Sequence, residues 1–272
     1  MKKQLTLVSL LLFLLFGFWG CRQELPKGKE TTETALSDLV NTPKSGVVRT
    51  RSEVTDKYEF PDISGMNEWT RPGIIKDRID ALQIPENVLA SISTEGLLET
   101  CLEFPYLVDI LHFSDFQQSF NVVVSNFNGF RELLRRPDLV DALLDKYYGI
   151  TEDVKGVYLL ESVERGGFSF RNFVTEFILA QDAVFEKLNE EQEIELFLLS
   201  LENKKIKNDY SDVFGYWHSI SRALLYAKKI MHDNAAGAYT NELSRFIKAP
   251  LHINPNTAKY LDDYINAKYK SL

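Results

Sequence analysis

The segment FSFRNFVTEFILAQDAVFEKL (168–188) carries the strongest structural signal in this sequence of 272 residues. Its large apolar residues recur every three to four positions, which is the spacing of one face of an α-helix. The apolar face comprises Phe170, Phe173, Val174, Phe177, Ile178, Val184, Phe185 and Leu188, and the polar positions opposite are Arg171, Asn172, Glu176 and Glu186. The segment predicts an amphipathic helix that begins near Phe168 and packs on a hydrophobic core.

Helical signals continue towards the C-terminus. Asn189 and Gln192 have the spacing of a capping box, which predicts a second helix directly after the first segment. The basic stretch 204–207 falls near the predicted end of that helix, where positive charge complements the helix dipole. Asn254 followed by Pro255 predicts the start of the last helix. The apolar positions of the three later helices are Ile194, Phe197, Leu198 and Leu201; Trp217, Ile220, Ala223, Leu224, Ala227, Ile230 and Met231; and Ala258, Leu261, Tyr264, Ile265 and Tyr269.

Shorter helices are predicted upstream, between residues 85 and 147. Thr94 is a candidate N-cap, and the pair Asn128-Gly129 either breaks a helix or lies within one. Alternation of apolar and polar residues, as in half-buried strands, is almost absent, and glycine (14) and proline (9) are scarce. We therefore expect an all-α fold, with a single multi-helix domain over residues 59–272 built as an orthogonal bundle or an irregular α–α superhelix.

The N-terminus has the layout of an export signal. Lys2 and Lys3 precede an uncharged, mostly apolar run over residues 5–20, which is shorter than the roughly 17–25 residues of a membrane-spanning helix. Gly20 and Cys21 follow, and this junction resembles a bacterial lipoprotein signal, in which the cysteine becomes the new N-terminus and carries acyl chains such as palmitate. The alternatives are an uncleaved signal anchor and a cysteine present by chance. We expect residues 1–20 to be a signal peptide and Cys21 to be the lipid attachment site.

Residues 21–58 are expected to form a lipidated N-terminus and a flexible tether. Only nine of the 37 residues from 22 to 58 are apolar, too few to offset the entropy of ordering the chain. Removal of the signal peptide lowers the formal net charge from −8 to −10. Such a charge argues against nucleic acid as a partner, and it suggests a body that hangs from its lipid rather than lying on anionic headgroups.

Familiar short catalytic motifs are absent from the sequence, including the nucleophile elbow, the phosphate-binding loop and the zinc-binding His-Glu-x-x-His motif. Asp109, His112 and Asp115 have the spacing of metal ligands on one helix, but a new helix predicted next to Asp115 favours a solvated turn. Glu161 and Glu164 could form the carboxylate pair of a glycosidase, although 39 acidic residues make such pairs common. We predict no catalytic, cofactor-binding or metal-binding residue, and no cofactor.

Three further features have both a structural and a functional interpretation. Cys101 lies on an apolar face, where a free cysteine usually acts as a small buried hydrophobe rather than a nucleophile. Gln181 interrupts the apolar face of the 168–188 segment, which predicts a buried, hydrogen-bonded amide that ties two helices together. The alternative is that Gln181 faces a ligand groove. An aromatic group is favoured as core packing over a ligand surface, and it comprises Tyr216, Trp217, His218 and Tyr226.

Several short stretches in residues 66–200 are specific in combination. They are IPENVLASISTE (84–95), LETCLEFP (98–105), SNFNGFREL (125–133), LDKY (144–147), FSF (168–170) and LAQD (179–182). Together they resemble a family of exported, all-helical proteins from Bacteroides-type bacteria. The resemblance implies export from a Gram-negative cell and a helical body. It implies no activity and no functional residue.

The sequence thus favours a non-enzymatic, envelope-anchored protein that binds or scaffolds a protein or a glycan. The expected location is the cell envelope, at the outer membrane of a Gram-negative bacterium, either periplasmic or surface-exposed. The alternative is an exported hydrolase or lyase whose catalytic residues come together only in the fold. A pocket that holds a carboxylate or histidine with a shifted pKa would favour the enzyme.

Overall fold

The computed structural model describes Arg49 and residues 54–63, 74–112, 116–250 and 252–270. These residues belong to one compact unit, Lys44–Leu272, and their regular structure is helical without any strand. The prediction of a single, all-α, multi-helix domain is confirmed. The predicted signal peptide, Cys21 and most of the predicted tether lie outside the described residues. Within the described part of the chain, no helix is both long enough and apolar enough to cross a bilayer.

The α-helices follow one another with short connections. They are α1 (Ile74–Ala81), α2 (Glu86–Leu89), α3 (Thr94–Leu102), α4 (Phe116–Asn126), α5 (Asn128–Leu133), α6 (Leu139–Tyr148), α7 (Ile150–Asp153), α8 (Ser162–Leu179), α9 (Asp182–Phe185), α10 (Glu190–Asp209), α11 (Ser211–His232), α12 (Thr240–Lys248) and α13 (Pro255–Tyr269). Short 3₁₀ helices occupy Leu107–His112, Val154–Leu159 and Gly237–Tyr239. The pair α8 and α11 forms the most extensive helix–helix contact, and α11 also packs on α10, α12 and α13.

The predicted helix at 168–188 is two helices. Helix α8 begins six residues earlier than expected, at Ser162, and it ends at Leu179. Gln181 is in extended backbone and precedes the single turn of α9. The apolar periodicity continues across this break because both helices bury their apolar side chains in the same core.

Local capping signals place several helix starts correctly. The Asn189 side chain accepts a hydrogen bond from the Gln192 amide at 2.9 Å, which completes the predicted capping box of α10. Asn254 caps α13 as predicted, with Pro255 in its first turn. The cap of α3 is Ser93 rather than Thr94, and Thr94 instead donates to the carboxylate of Asp138 at 2.7 Å.

Phe127 resolves the ambiguity at Asn128-Gly129. Its backbone is extended, so α4 ends before it and α5 begins after it. The Phe127 ring is fully buried and stacks on Phe104 with 4.1 Å between ring centroids. A side chain at Gly129 would meet the same ring at 2.5 Å, so glycine allows the close approach of α5 to Phe127.

The helical body includes residues 54–58, which composition assigns to the tether. The Asp56 carboxylate accepts hydrogen bonds from the amide and the hydroxyl of Ser93, at 2.6 and 2.8 Å. The Tyr58 amide donates to Thr100 at 3.0 Å. Further upstream, Arg49 contacts α6 and α10. Polar contacts of this kind hold a segment in place without raising its apolar content, so composition does not reveal them.

Candidate functional site

A cluster of ionisable and polar side chains lies in the interior of the domain, between α6, α8, α10 and α11. Its centre is Glu176 of α8, which is 1% exposed. The Nζ atom of Lys207 lies 2.7 Å from Glu176 Oε1, and the Tyr147 hydroxyl donates to the same oxygen at 2.8 Å. The Ser221 hydroxyl donates to the other carboxylate oxygen. One buried carboxylate thus connects four helices.

The electrostatics of this cluster favour an ionised Glu176 beside an ionised Lys207. Burial would raise the pKa of the Glu176 carboxyl, but the Lys207 charge and then His218 hold it well below its ordinary value. Burial lowers the pKa of Lys207, and the adjacent Glu176 opposes that shift. The Lys207 ammonium also lies 5.6 Å from the ring centroids of both Tyr147 and Phe214, within cation–π range.

His218 extends the cluster towards Ser169 of α8. The Ser169 hydroxyl lies 3.2 Å from His218 Nε2, while His218 Nδ1 is 3.8 Å from Glu176 Oε2 and has no hydrogen-bond partner. Burial, reinforced by the charge of Lys207, lowers the pKa of His218 to about 4. The imidazole is therefore neutral at neutral pH.

Ser169, His218 and Glu176 have the connectivity of a serine–histidine–acid triad, in which the two ring nitrogens face the hydroxyl and the carboxylate. The distance on the acid side is too long for a hydrogen bond. The acid is also engaged by Lys207 and Ser221. His218 is 2% exposed, so the arrangement is suited to joining helices in the core.

A second site is an open cleft of about 840 Å³ on the surface near α1, α4 and the segment after α3. Its volume lies within the range of about 300–1,000 Å³ that is usual for small-molecule sites. The lining residues are Lys76, Ile79, Asp80, Gln83, Phe104, Tyr106, Asp109, Ser119, Val122, Val123, Ser125, Asn126 and Arg131. Lys76, Ile79 and Asp80 lie on one face of α1, and Gln83 follows just after the helix ends, so α1 and the residues after it form one wall.

Hydrogen bonds around Gln83 fix the inner end of the cleft. Its side-chain amide donates to the carbonyls of Ile79 and Asn126, at 2.8 and 2.9 Å, and its carbonyl accepts from the Asn128 amide at 2.9 Å. The Arg131 guanidinium donates to the carbonyl of Ser125 at 2.6 Å. These bonds hold α1 against the junction of α4 and α5, so the two walls have a defined spacing.

Gln181 is buried, at 4% exposure, and makes the contacts expected of a core amide. Its oxygen accepts from the Gln117 side chain of α4 at 2.7 Å, and its nitrogen donates to the Phe177 carbonyl at 2.9 Å. The structural interpretation of Gln181 is confirmed, because the residue ties α4 to the end of α8. Cys101 is likewise fully buried, and burial raises the pKa of its thiol well above the ordinary value.

The aromatic group considered as core packing divides between the core and the surface. His218 and Tyr226 are buried, whereas Tyr216 and Trp217 are more than two-fifths exposed. The change from exposed to buried falls between Trp217 and His218. Gly215, directly before the group, has a positive φ of 58° that interrupts the helical backbone of α11. Glycine adopts this conformation without the steric cost of a side chain.

The remaining candidates occupy ordinary positions or lie beyond the described residues. Glu161 is the N-cap of α8, and the carboxylate of Glu164 accepts from its amide at 3.1 Å, so this pair caps a helix. Asp109 lies on the 3₁₀ helix that ends at His112, and Asp115 is outside the described residues, as is the predicted lipid attachment site Cys21. Among the described residues, no group of three or more His, Cys, Asp or Glu side chains could hold a metal.

Helical periodicity misplaces two members of the buried cluster. The first is Glu176, which the pattern puts on the polar side of α8 together with the neighbouring Asn172, yet every residue from 172 to 181 is buried. The pattern also assigns Lys207 to the solvated end of α10, where the residue is 3% exposed and paired with Glu176. Apolar periodicity assumes a helix with one solvated side, and α8 is surrounded by other helices.

Comparison of the chain with known protein families, curated proteins and solved structures finds no match.

Proposed function

We propose that this protein is a non-enzymatic binding module that binds a small ligand in the cleft beside α1. In this proposal, lipid anchors the protein to the cell envelope of a Gram-negative bacterium, at the outer membrane. The observation that carries this proposal is the separation of two kinds of site. The open cleft of about 840 Å³ is formed by a different part of the chain from the histidine and carboxylate with strongly shifted pKa values.

The anchor is supported by the sequence alone. The basic start, the short apolar run over residues 5–20 and the Gly20-Cys21 junction are together typical of a bacterial lipoprotein. Two or three acyl chains on Cys21 would hold the protein stably, since a single chain binds membranes only marginally.

Fractionation of cells that express the Cys21→Ser variant tests the anchor. The wild-type protein is expected to stay with membranes after a high-salt wash, and the variant is expected to leave them. Retention of the variant would show that the protein is held by something other than lipid on Cys21.

A screen by thermal melting tests the binding site. The panel contains saccharides, short peptides, nucleosides and organic acids, and the proteins are wild type, Arg131→Ala and Arg135→Ala. Arg131 lines the cleft, whereas the neighbouring Arg135 is exposed outside it. The proposal requires a compound that raises the melting temperature of wild type and Arg135→Ala but not that of Arg131→Ala. A panel without any cleft-dependent compound would contradict it.

A hydrolase is the second candidate function, and the connectivity of Ser169, His218 and Glu176 is the observation that favours it. Purified protein incubated with p-nitrophenyl esters of short and long acids tests this candidate. Ester hydrolysis that Ser169→Ala abolishes, with an unchanged melting temperature, would establish it. We expect no such activity, because Glu176 is already engaged by Lys207 and Ser221.

A further inference from the structure

The charges that line the cleft cancel. Lys76 and Arg131 are basic, Asp80 and Asp109 are acidic, and Lys76 forms an ion pair with Asp80. A strongly anionic or cationic ligand would meet lining charges of its own sign as well as charges of the opposite sign. The lining therefore favours a ligand without net charge.

The residues that line the cleft include both hydrogen-bond donors and acceptors with spare capacity. On the donor side, the Tyr106 hydroxyl makes no hydrogen bond to another described residue. The Arg131 guanidinium has five N–H donors, and one of its nitrogens donates to the Ser125 carbonyl. On the acceptor side, the Asp80 carboxylate is bonded only to Lys76 within the described structure. The Asn126 amide donates to Val122 at 2.7 Å and keeps its side-chain oxygen available.

A ligand hydroxyl group suits this mixture because it donates one hydrogen bond and accepts others. Adjacent hydroxyls on one ring could thus meet a carboxylate and a guanidinium at the same time. Bonds to such charged partners are shorter and stronger than bonds between neutral groups.

The cleft also offers apolar surface for the C–H face of a ring. Phe104 and Val123 are buried in its floor, while Val122 is 44% exposed at its edge. Small-molecule sites commonly combine an apolar lining with a few placed polar groups that orient the ligand. A sugar ring presents both kinds of surface, since its C–H groups lie on the faces and its hydroxyls at the rim.

The known modes of peptide recognition fit the cleft less well. One mode adds a strand to a sheet edge, and the described residues contain no strand. Another lays an amphipathic helix in a continuous apolar groove, but here charged residues alternate with the apolar ones. A third reads phosphate or acidic groups with an arginine cluster, whereas Arg131 is the one arginine among the lining residues.

We infer that the cleft binds a neutral carbohydrate, with Asp80, Asn126, Tyr106 and Arg131 bonding its hydroxyls and Val122 covering one face of a ring. This inference rests on the proposed function, because it names the ligand class of the proposed binding site. Asp80 and Arg131 set the orientation of the ring, since they lie on different walls, α1 and α5.

An oligosaccharide array tests the ligand class. Full-length protein, solubilised in a detergent that carries no sugar, is applied to neutral glycans, to matched glycans bearing uronic acid or sulfate, and to short peptides. Calorimetry on the hits then compares four variants. Tyr106→Phe and Arg131→Ala alter the cleft, and the matched controls Tyr148→Phe and Arg135→Ala lie outside it.

We expect neutral glycans to bind and charged glycans to bind more weakly. Loss of the Tyr106 hydroxyl should lower affinity about three- to tenfold, and loss of the Arg131 guanidinium should lower it about tenfold or more. Both controls should bind as wild type does, and melting curves of all four variants exclude unfolding as the cause of any loss.

The other outcomes distinguish the inference that the ligand is a neutral carbohydrate from the proposal that the cleft is a binding site. Peptides or charged glycans that bind in a Tyr106- and Arg131-dependent manner would overturn the carbohydrate inference and leave the binding function standing. Neutral glycans that bind equally well to all four variants would overturn the assignment of the cleft as their site. An array without hits, together with a panel of small molecules without any cleft-dependent stabilisation, would overturn both.

Discussion

The ammonium of Lys207 lies 2.7 Å from the carboxylate of Glu176, and both residues are at most 3% exposed. The two residues lie on different helices, α10 and α8, and neither has access to bulk water. The desolvation cost of such a pair is large, so its attraction stabilises the fold only while both charges are present. The pair also restricts how the two helices can pack, because any other arrangement would leave a charge buried alone.

Replacement of Lys207 by methionine should lower the free energy of unfolding by about 3–5 kcal/mol, since it leaves the Glu176 carboxylate without a counter-charge. Addition of Glu176→Gln to Lys207→Met should restore part of the loss. Urea denaturation of the single and double variants measures both effects. Lys259→Met, which breaks the exposed pair with Asp263, should melt as wild type does. A double variant less stable than Lys207→Met would contradict the buried-charge explanation.

His218 should make the protein labile to acid. Its pKa is about 4 in the folded protein and about 6.5 in the unfolded chain. The unfolded state therefore takes up a proton at a higher pH, and the free energy of unfolding falls as the pH is lowered from 6.5 to 4. The loss across this window should approach roughly 3 kcal/mol.

His218→Gln should flatten the dependence of stability on pH within this window, whatever its effect on stability at neutral pH. His252→Gln is the matched control, because His252 is exposed, and it should leave the dependence unchanged. Urea titrations across the window measure the slopes. An unchanged slope in His218→Gln would assign the acid lability to other groups.

Gln181→Ala should cost about 1–3 kcal/mol, because it removes the partner of Gln117 and of the Phe177 carbonyl in a buried location. Gln181→Leu should be milder, since it removes the same two hydrogen bonds but recovers apolar burial. Thermal melts compare both with Asn208→Ala, which alters an exposed amide on α10 that makes no side-chain hydrogen bond to another described residue. A leucine variant that is less stable than the alanine variant would contradict the prediction that apolar burial recovers part of the lost stability.

Arg49→Gln should lower the free energy of unfolding by about 1.5–3 kcal/mol, the usual contribution of hydrogen bonds to charged groups. The guanidinium donates to the nearly buried carboxylate of Glu195 at 2.5 and 2.9 Å and to Asp145 at 2.6 Å. Arg135→Gln, an exposed arginine in the turn after α5, is the control in chemical denaturation. Equal stability of the two variants would mean that the Arg49 side chain contributes nothing to the stability of the domain.

Local patterns in the chain were sufficient to predict the all-helical body, the cap of α10 at Asn189 and the start of α13 at Pro255. Capping bonds and apolar periodicity connect residues within three or four positions, so the sequence displays them directly. The burial of Gln181 was predictable for the same reason, because it interrupts a local apolar pattern. The break between α8 and α9 was missed, since the apolar pattern continues across it.

The buried cluster and the cleft depend on contacts between residues that are distant in sequence. Glu176 and Lys207 both occupy positions where the local pattern predicts exposure to solvent, and they become partners only because α8 and α10 pack side by side. Lys76 and Arg131 line one cleft because Gln83 holds α1 against the junction of α4 and α5. No short-range periodicity encodes such pairings, because each is set by the packing of whole helices around a common core.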